Sequence, residues 1–217
     1  MRAGLAKVYF FDLDRTLVKV NITQKFFLHY VCKNPLRASI KILSNLSLFF
    51  CYIFHPSKIA NAHQLIIKLI EDDYENVIQL SQSFSKKLVR KAIFMPVYQE
   101  LMRAMHLGQK VFILSAAPEF IVKLVADAIG DLNGFGTIYS KDVNDQLKIV
   151  SILSGEQKAK IVERIQSQYQ LSKDELIAYS DSIHDLEFLC SVGQPVVVNA
   201  DRQLKKIAYE ENWRMIQ

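Results

Sequence analysis

The sequence has few cysteines, and none of them stands in a pattern that usually serves a structural purpose. Three cysteines occur in 217 residues, at positions 32, 51 and 190, and no two of them form a CxxC pair. An odd number at such wide spacing predicts neither a disulfide framework nor a structural zinc site. We therefore expect reduced thiols in a cytoplasmic protein.

Signatures of several other protein classes are also missing. There is no internal repeat, no low-complexity segment and no Gly-rich phosphate loop, and the five histidines show no HExxH or paired spacing. A strand-like run begins at Lys7, so we expect no secretory signal before it. Half of the residues are hydrophobic and 23% are charged, as in soluble globular proteins with a sizeable core.

Acidic residues are absent from a long stretch near the N-terminus. The segment from Lys19 to Ile70 contains no Asp or Glu, and the segment from Lys19 to Met95 has eleven Lys or Arg against four acids. The net charge is therefore +7 for residues 19–95, +5 for the whole chain and −2 for the remainder. This asymmetry predicts that residues 19–95 meet an anionic partner, which could be a membrane surface, a nucleic acid or an acidic substrate.

Short apolar runs rich in β-branched or aromatic residues predict the strands of a buried sheet. They are VYFF (8–11), VFIL (111–114), LIAYS (176–180) and PVVVN (195–199). Helical patterns cover residues 119–129, 156–168, 184–190 and 202–211, whereas Gly130 and residues 134–136 are interpreted as a helix end and a turn. The alternation predicts an α/β fold with a Rossmann-like parallel sheet.

The residues between the first two strands have a different pattern. Residues 21–100 show helical periodicity without a convincing strand, with breaks near Asn34-Pro35 and His55-Pro56. We expect a core of residues 1–18 and 96–217, with a helical cap of residues 19–95 inserted after the first strand. Ligands of open α/β sheets bind beyond the carboxyl ends of the strands, so a cap inserted there would act as a lid.

Acidic and phosphate-binding groups are predicted to gather at that edge of the sheet. Asp12 and Asp14 follow the first strand, and two carboxylates so close together repel each other unless a cation lies between them. Ser115 follows the second strand and opens a helix, so its hydroxyl and the neighbouring N–H groups, including that of Ala116, can hold phosphate oxygens. Lys158 can neutralise a transferring phosphoryl group. Mg²⁺ would suit Asp12, Asp181 and a backbone carbonyl at Asp14.

The segments DLDRT, LSAAP, GEQKAK and YSDSIHD, in this order, resemble the motifs of the haloacid dehalogenase superfamily. The resemblance is to the branch with a helical cap after the first strand, which includes phosphoserine phosphatase. It implies a Mg²⁺-dependent phosphatase that forms an aspartyl-phosphate. The implied roles are a nucleophile (Asp12), a general acid and then base (Asp14), phosphate ligands (Thr16 and Ser115), a neutralising lysine (Lys158) and metal-side acids (Asp181 and Asp185).

Three positions depart from the usual pattern of that branch. Arg15 stands where Gly is common, and His184 stands where Asn often precedes the final Asp. Phosphoserine phosphatases have an acid nine positions after the nucleophile, suited to a substrate ammonium, whereas this chain has Asn21 there. Asn21 and His184 are candidate substrate-binding residues, and they disfavour phosphoserine without changing the core chemistry.

The apolar run ILSNLSLFFCYIF (42–54) has three interpretations: the core of the cap, a homodimer contact or an interfacial membrane anchor. It is too short and too interrupted for a transmembrane helix. The basic, aromatic cap suits anionic headgroups and is similar to the cap of phosphatidylglycerophosphate phosphatases of this branch. We expect a lipid phosphatase that is cytoplasmic or peripheral at the inner membrane face. The alternatives are a soluble metabolite phosphatase and a non-catalytic nucleic-acid-binding module, although no specific nucleic acid is expected.

Overall fold

The computed structural model describes residues 7–48, 50, 59–71, 74–144 and 146–217. Within these residues, seven strands form one sheet: β1 (Val8–Asp12), β2 (Lys110–Pro118), β3 (Asn133–Lys141), β4 (Leu147–Ser151), β5 (Leu176–Ser180), β6 (Gln194–Val198) and β7 (Arg214–Ile216). The helices are α1 (Ile22–Lys33), α2 (Pro35–Ser44), α3 (Ile59–Ile70), α4 (Tyr74–Ala92), α5 (Met95–His106), α6 (Glu119–Gly130), α7 (Gly155–Tyr169), α8 (Leu186–Cys190) and α9 (Arg202–Glu210).

The strands are ordered β4-β3-β2-β1-β5-β6-β7, and neighbours are parallel except for β3 and β4. The chain passes from β1 to β2 and β3 on one side of the sheet, and then crosses to β5, β6 and β7 on the other. Such a change of direction leaves a crevice at the carboxyl ends of the central strands. The predicted Rossmann-like parallel sheet is confirmed, and β1 lies at its centre.

Both faces of the central strands are buried, as their continuous apolar runs predict. Val8 and Phe10 of β1 lie in one hydrophobic cluster, whereas Phe11 lies in a second cluster on the opposite face. The rings of Phe11 and Tyr179 stack across β1 and β5 with their centroids 4.4 Å apart. These contacts hold the strand ends that present the site.

The interpretation of residues 134–136 as a turn was wrong, because Gly134 and Gly136 lie inside β3. A Cβ atom on Gly136 would lie 2.6 Å from the Glu119 Cα and 2.7 Å from the Ala117 carbonyl oxygen. Glycine in this strand permits a close backbone approach rather than a chain reversal. The helix end at Gly130 is present, and Asp131 follows it in the left-handed conformation.

Helices α1 to α4 follow β1 and form the helical cap, whose presence is confirmed. The break at Asn34-Pro35 separates α1 from α2, with proline in the first turn of α2, where its missing N–H leaves no hydrogen bond unmade. The break predicted at His55-Pro56 lies outside the described residues. Phe26 of α1 contacts Phe84 of α4 and Phe120 of α6 edge-on, at 5.3 Å and 6.2 Å between ring centroids. The cap therefore packs directly on the core.

Only part of the apolar run 42–54 is described, and its residues differ in exposure. Ile42 and Leu48 pack against the hydrophobic core, whereas Leu43, Leu46 and Phe50 are exposed. Residues 51–54 lie outside the described residues. Within the part of the chain that is described, no helix is both long and apolar enough to cross a membrane.

Candidate active site

A cleft of about 380 Å³ opens at the carboxyl ends of β1, β2 and β5, between the core and helices α1 and α3. Eight of the ten predicted site residues line it: Asp12, Asp14, Asn21, Ala116, Lys158, Asp181, His184 and Asp185. The other two, Thr16 and Ser115, are fully buried behind its wall. A larger cavity of about 810 Å³ beside β5, β6 and β7 contains none of the ten predicted site residues, so cavity size alone does not identify the active site.

Asp12 ends β1 and is held by a buried lysine. The Lys158 ammonium lies 2.6 Å from a carboxylate oxygen of Asp12 and 2.7 Å from one of Asp185. The Ser180 hydroxyl donates a hydrogen bond of 2.6 Å to the same oxygen of Asp185. These contacts fix Asp12 at the floor of the cleft.

Lys158 reaches both acids because α7 begins against the turn that carries Asp185. Gly155 is the first residue of α7, and a Cβ atom there would overlap the His184 carbonyl oxygen and lie 3.1 Å from the Asp185 Cα. The absence of a side chain at Gly155 therefore lets the helix approach the turn. One turn later, the lysine side chain points to the carboxyl end of β1.

Asp14 is held by groups from both the cap and the core. The Ile22 backbone N–H, in the first turn of α1, donates to Asp14 at 2.5 Å, and the Ser115 hydroxyl donates to the other carboxylate oxygen at 3.2 Å. Asn21 caps α1 by accepting a hydrogen bond of 2.9 Å from the Gln24 N–H. The start of the cap is thus attached directly to an acid of the cleft.

The two buried hydroxyl groups predicted to bind phosphate are engaged by carboxylates in this structure. The Thr16 hydroxyl donates to Asp181 at 3.3 Å. The Ser115 hydroxyl donates to Asp14, as described above, and also accepts from the Ala117 N–H at 3.0 Å. Their role as phosphate ligands remains a prediction.

Burial makes Asp12, Asp14 and Asp181 harder to ionise. It is the main cause that raises the pKa of Asp12 and of Asp14, although the Lys158 charge opposes it at Asp12. Burial and then the charge of Asp185 raise the pKa of Asp181 to about 6. Burial alone would lower the pKa of Lys158, but the charges of Asp12 and Asp185 outweigh it, so that this pKa is raised.

These acids form a donor set that fits a hard divalent cation. Asp12 and Asp181 offer carboxylate oxygens in one cleft, and the charges of neighbouring acids add to the effect of burial in raising the pKa of both. Among the described residues, however, no three His, Cys, Asp or Glu side chains are already placed to hold a metal together. A cation here would need a main-chain oxygen or water as a further ligand.

Arg15 occupies the position where the resembling family commonly has Gly, and its backbone explains that preference. Its φ angle is 57°, in the left-handed region that glycine adopts more readily. The side chain is exposed at the edge of the cleft, and its charge lowers the pKa of Asp14 and Asp181 against the effect of burial.

Sequence reasoning missed three residues that organise the cleft. Ser180 binds Asp185, Thr137 donates to the Ala116 carbonyl at 2.7 Å, and His63 of α3 lines the cleft from the cap side. Ser180 could have been found from its position at the end of β5. Nothing in the sequence brings Thr137 or His63 to this place, because both depend on how β3 and the cap pack.

A parallel sheet with an acidic cleft at the carboxyl ends of its central strands places the chain among α/β proteins with a ligand site at that edge. Within this class, the chain belongs to the haloacid dehalogenase-like hydrolase family, whose family profile matches residues 9–189.

Two curated relatives are similar over different lengths. A putative hydrolase of Mycobacterium leprae is 25% identical over 143 residues, which cover 65% of this chain and 48% of the relative. A probable phosphatase of Mycobacterium tuberculosis is 25% identical over 211 residues, which cover 95% of this chain and 74% of the relative. The chain thus spans about half of the first relative and three quarters of the second.

Solved structures share the fold at low identity. A Bordetella pertussis protein of unknown function has a TM-score of 0.77 at 19% identity, covering 97% of both chains. A substrate-bound phosphoserine phosphatase has a TM-score of 0.61 at 13% identity, covering 94% of this chain and 91% of the other. The predicted resemblance to this branch of the superfamily is confirmed at the level of the fold.

Proposed function

We propose that this chain is a Mg²⁺-dependent phosphomonoester hydrolase that forms an aspartyl-phosphate at Asp12. The observation that carries the proposal is the buried Lys158 bridge between Asp12 and Asp185, with Asp14 lining the same cleft. A carboxylate held in this way can act as a nucleophile towards phosphorus. The family, and a relative described as a probable phosphatase, support the same chemistry.

In the first step, a carboxylate oxygen of Asp12 attacks phosphorus and the bond from phosphorus to the leaving oxygen breaks. Asp14 donates its proton to that oxygen, so the alcohol leaves neutral. The raised pKa of Asp14 supports this role, because it favours the protonated carboxyl group. Lys158 neutralises negative charge beside Asp12.

In the second step, water attacks the phosphorus of the aspartyl-phosphate, and the bond to the Asp12 oxygen breaks. Asp14 is now a carboxylate and accepts the proton of the attacking water. Inorganic phosphate leaves, and both acids return to their starting states. Asp12, Asp181 and the main-chain carbonyl of Asp14 would hold Mg²⁺, which supplies further neutralisation of the phosphoryl oxygens.

We further propose that the substrate is a lipid phosphate, such as phosphatidylglycerophosphate, taken from an anionic membrane face. The cap that covers the cleft contains the acid-free stretch 19–70, and α2 presents exposed apolar side chains beside basic ones. Asn21 lines the cleft where phosphoserine phosphatases have an acid, which disfavours a substrate with an ammonium group. A soluble phosphatase of a small metabolite is the alternative.

The mechanism predicts that Asp12→Asn lowers turnover of an aryl phosphate by at least about 1,000-fold, because an amide is a poor nucleophile. Removal of divalent metal with EDTA should have a comparable effect that added Mg²⁺ reverses. Asp127→Asn, an exposed acid on α6, is the matched control and should retain full activity. Unchanged hydrolysis by the Asp12 variant would disprove the nucleophile.

A panel of lipid, amino-acid, sugar and nucleotide phosphates then tests the substrate. Preference for the lipid phosphate supports the membrane proposal, and preference for a small phosphate supports the soluble alternative. A nucleic-acid-binding module would instead show salt-sensitive binding of nucleic acid and no hydrolysis of any phosphate.

A further inference from the structure

His63 is a buried titratable residue that the mechanism above does not use. It lies on α3 of the cap with 1% of its surface exposed, and it lines the cleft opposite Asp12 and Asp14. A buried imidazole needs partners for both ring nitrogens, because an unpaired polar atom in the interior costs free energy.

Both partners of His63 belong to the core rather than to the cap. Its Nδ1 atom is hydrogen-bonded to the Tyr139 hydroxyl of β3, and the two rings meet edge-on with centroids 5.7 Å apart. The backbone of Ala116 forms a second hydrogen bond, which raises the pKa of His63, as a carbonyl acceptor does. His63 therefore connects α3 to two neighbouring strands.

The protonation state of His63 follows from its surroundings. Burial outweighs the Ala116 carbonyl and lowers the pKa of His63 to about 4, so the imidazole is neutral near neutral pH. A neutral imidazole has one N–H group, and because Nδ1 meets the Tyr139 hydroxyl, we assign that group to Nε2, on the side of the Ala116 carbonyl. Nδ1 then accepts a hydrogen bond from the Tyr139 hydroxyl, which keeps its proton because burial raises its pKa.

The Ala116 carbonyl begins a chain of hydrogen bonds that ends at Asp14. The carbonyl and the Ala117 N–H belong to one planar peptide, so fixing one group fixes the other. The carbonyl also accepts from Thr137 at 2.7 Å. The Ala117 N–H donates to the Ser115 hydroxyl at 3.0 Å, and that hydroxyl donates to Asp14 at 3.2 Å.

We propose that His63 is a positioning residue for Asp14, acting through the 116–117 peptide and the Ser115 hydroxyl. This inference rests on the proposed role of Asp14 as the donor of the leaving-group proton. The cap reaches the same carboxyl group a second time through the Ile22 N–H at 2.5 Å. Asp14 is therefore aligned for proton donation only while α1 and α3 both lie on the core.

The leaving group separates this role from a merely structural one. Hydrolysis of an alkyl phosphate expels a strongly basic alkoxide and therefore depends on proton donation. Hydrolysis of p-nitrophenyl phosphate expels a weakly basic phenoxide and depends on proton donation little. We expect His63→Leu to lower kcat for glycerol 3-phosphate or an alkyl lipid phosphate by about 10- to 100-fold. For p-nitrophenyl phosphate we expect a loss of less than about threefold.

Two further variants keep the test independent of folding. Tyr139→Phe removes one hydroxyl without changing the ring, and it should show the same selective loss to a smaller extent. His63→Gln retains an N–H donor for the Ala116 carbonyl, and it should recover part of the alkyl phosphate activity. The matched control is Tyr74→Phe, which removes a hydroxyl from a ring that contacts Phe120 at the same cap–core contact. It should change neither activity.

The outcomes distinguish the inference from the proposed function. If Asp12→Asn abolishes turnover but His63→Leu lowers both substrates equally, or neither, the positioning role is wrong and the proposed function stands. If the parent chain hydrolyses neither substrate with Mg²⁺ present, the proposed function is wrong, and this inference is wrong as well because it rests on that function. A loss confined to the alkyl phosphate, with partial recovery in His63→Gln, supports the inference.

Discussion

At the scale of single residues, the same burial that makes His63 a useful hydrogen-bonding partner makes the protein sensitive to acid. Burial lowers the pKa of His63 to about 4, whereas an unfolded chain has a histidine pKa of about 6.5. At a pH between these two pKa values, His63 is protonated in the unfolded chain and neutral in the folded chain. The contribution of His63 to stability is therefore complete above about pH 6.5 and is lost as the pH falls towards 4.

We expect this contribution to reach about 3 kcal/mol in the free energy of unfolding. His63→Leu lacks it, so the stability of the variant should depend less on pH between about 4 and 6.5. Asp181 acts in the opposite direction, because its raised pKa of about 6 gives stability that is lost as the pH rises through that value. Urea unfolding of the metal-free parent and variant at several pH values isolates the difference. Parallel pH profiles would contradict the assignment.

Most site residues could be predicted one by one because their positions follow from the strands. Asp12 and Asp181 stand at or just beyond the ends of β1 and β5, and parallel strands bring such residues to one edge. Ser115 was predicted to follow its strand and open a helix, but it lies inside β2, and α6 begins only at Glu119. The partners of these residues could not be predicted in the same way. They depend on how the cap packs on the core. Examples are the hydrogen bond from the Ile22 N–H to Asp14 and the contact of His63 with Ala116.

At the scale of helices and strands, the strands with a continuous apolar run were predicted from the sequence, and the strands without one were not. β1 and β5 are continuous apolar runs buried on both faces, and their bounds agree with the prediction to within one residue. β3 and β4 have several exposed residues, and β7 has three residues in all. β3 pairs with β2, β4 with β3 and β7 with β6, and a local sequence pattern does not reveal such pairing.

The packing of α7 against the 183–185 turn predicts a specific effect of Gly155→Ala. The added Cβ atom would overlap the backbone at His184, so α7 must move away and take Lys158 from Asp12 and Asp185. We expect a stability loss of about 1–3 kcal/mol and a clear fall in kcat, measured by urea unfolding and aryl phosphate hydrolysis.

Gly130→Ala, at the end of α6, is the matched control for this change. There an added Cβ atom would meet the terminal methyl group of Met105 at 2.6 Å, and a flexible side chain can move aside. The control should keep full activity. If Gly155→Ala is as active as the control, the close approach of α7 does not position Lys158.

At the scale of the whole molecule, the cap combines positive charge with an exposed apolar face on one of its helices. The segment 19–95 has a net charge of +7, against +5 for the whole chain. On α2, the side chains of Leu36, Ile40 and Leu43 are 82%, 68% and 70% exposed and share one face, while Ala38 is buried on the other. A run of large apolar side chains on an exposed helix face is typical of an interaction surface.

This surface was not predicted as the structure has it. The sequence interpretation centred on residues 42–54, whereas the exposed face begins at Leu36, and Ile42 turns inwards to the core. Helical spacing places Leu36, Ile40 and Leu43 together, but it does not tell which face of an apolar helix meets the core. The basic residues Lys33, Arg37 and Lys41 lie in the same part of the chain, which suits an anionic lipid surface.

We expect the protein to co-sediment with vesicles that contain phosphatidylglycerol, and we expect binding to weaken as salt screens the basic cap. Ile40→Ser/Leu43→Ser should lower vesicle affinity by at least about tenfold, because each buried CH₂ group contributes about 0.8 kcal/mol. The matched control is Val143→Ser/Val150→Ser, which removes two exposed apolar side chains, 101% and 61% exposed, from the β3–β4 hairpin and should leave affinity unchanged. Equal binding by both variants, or no binding by the parent, would contradict membrane docking through α2. If the Ile40/Leu43 variant instead shifts a dimer to a monomer in sedimentation, the exposed face of α2 is covered by a second copy of the chain rather than by lipid.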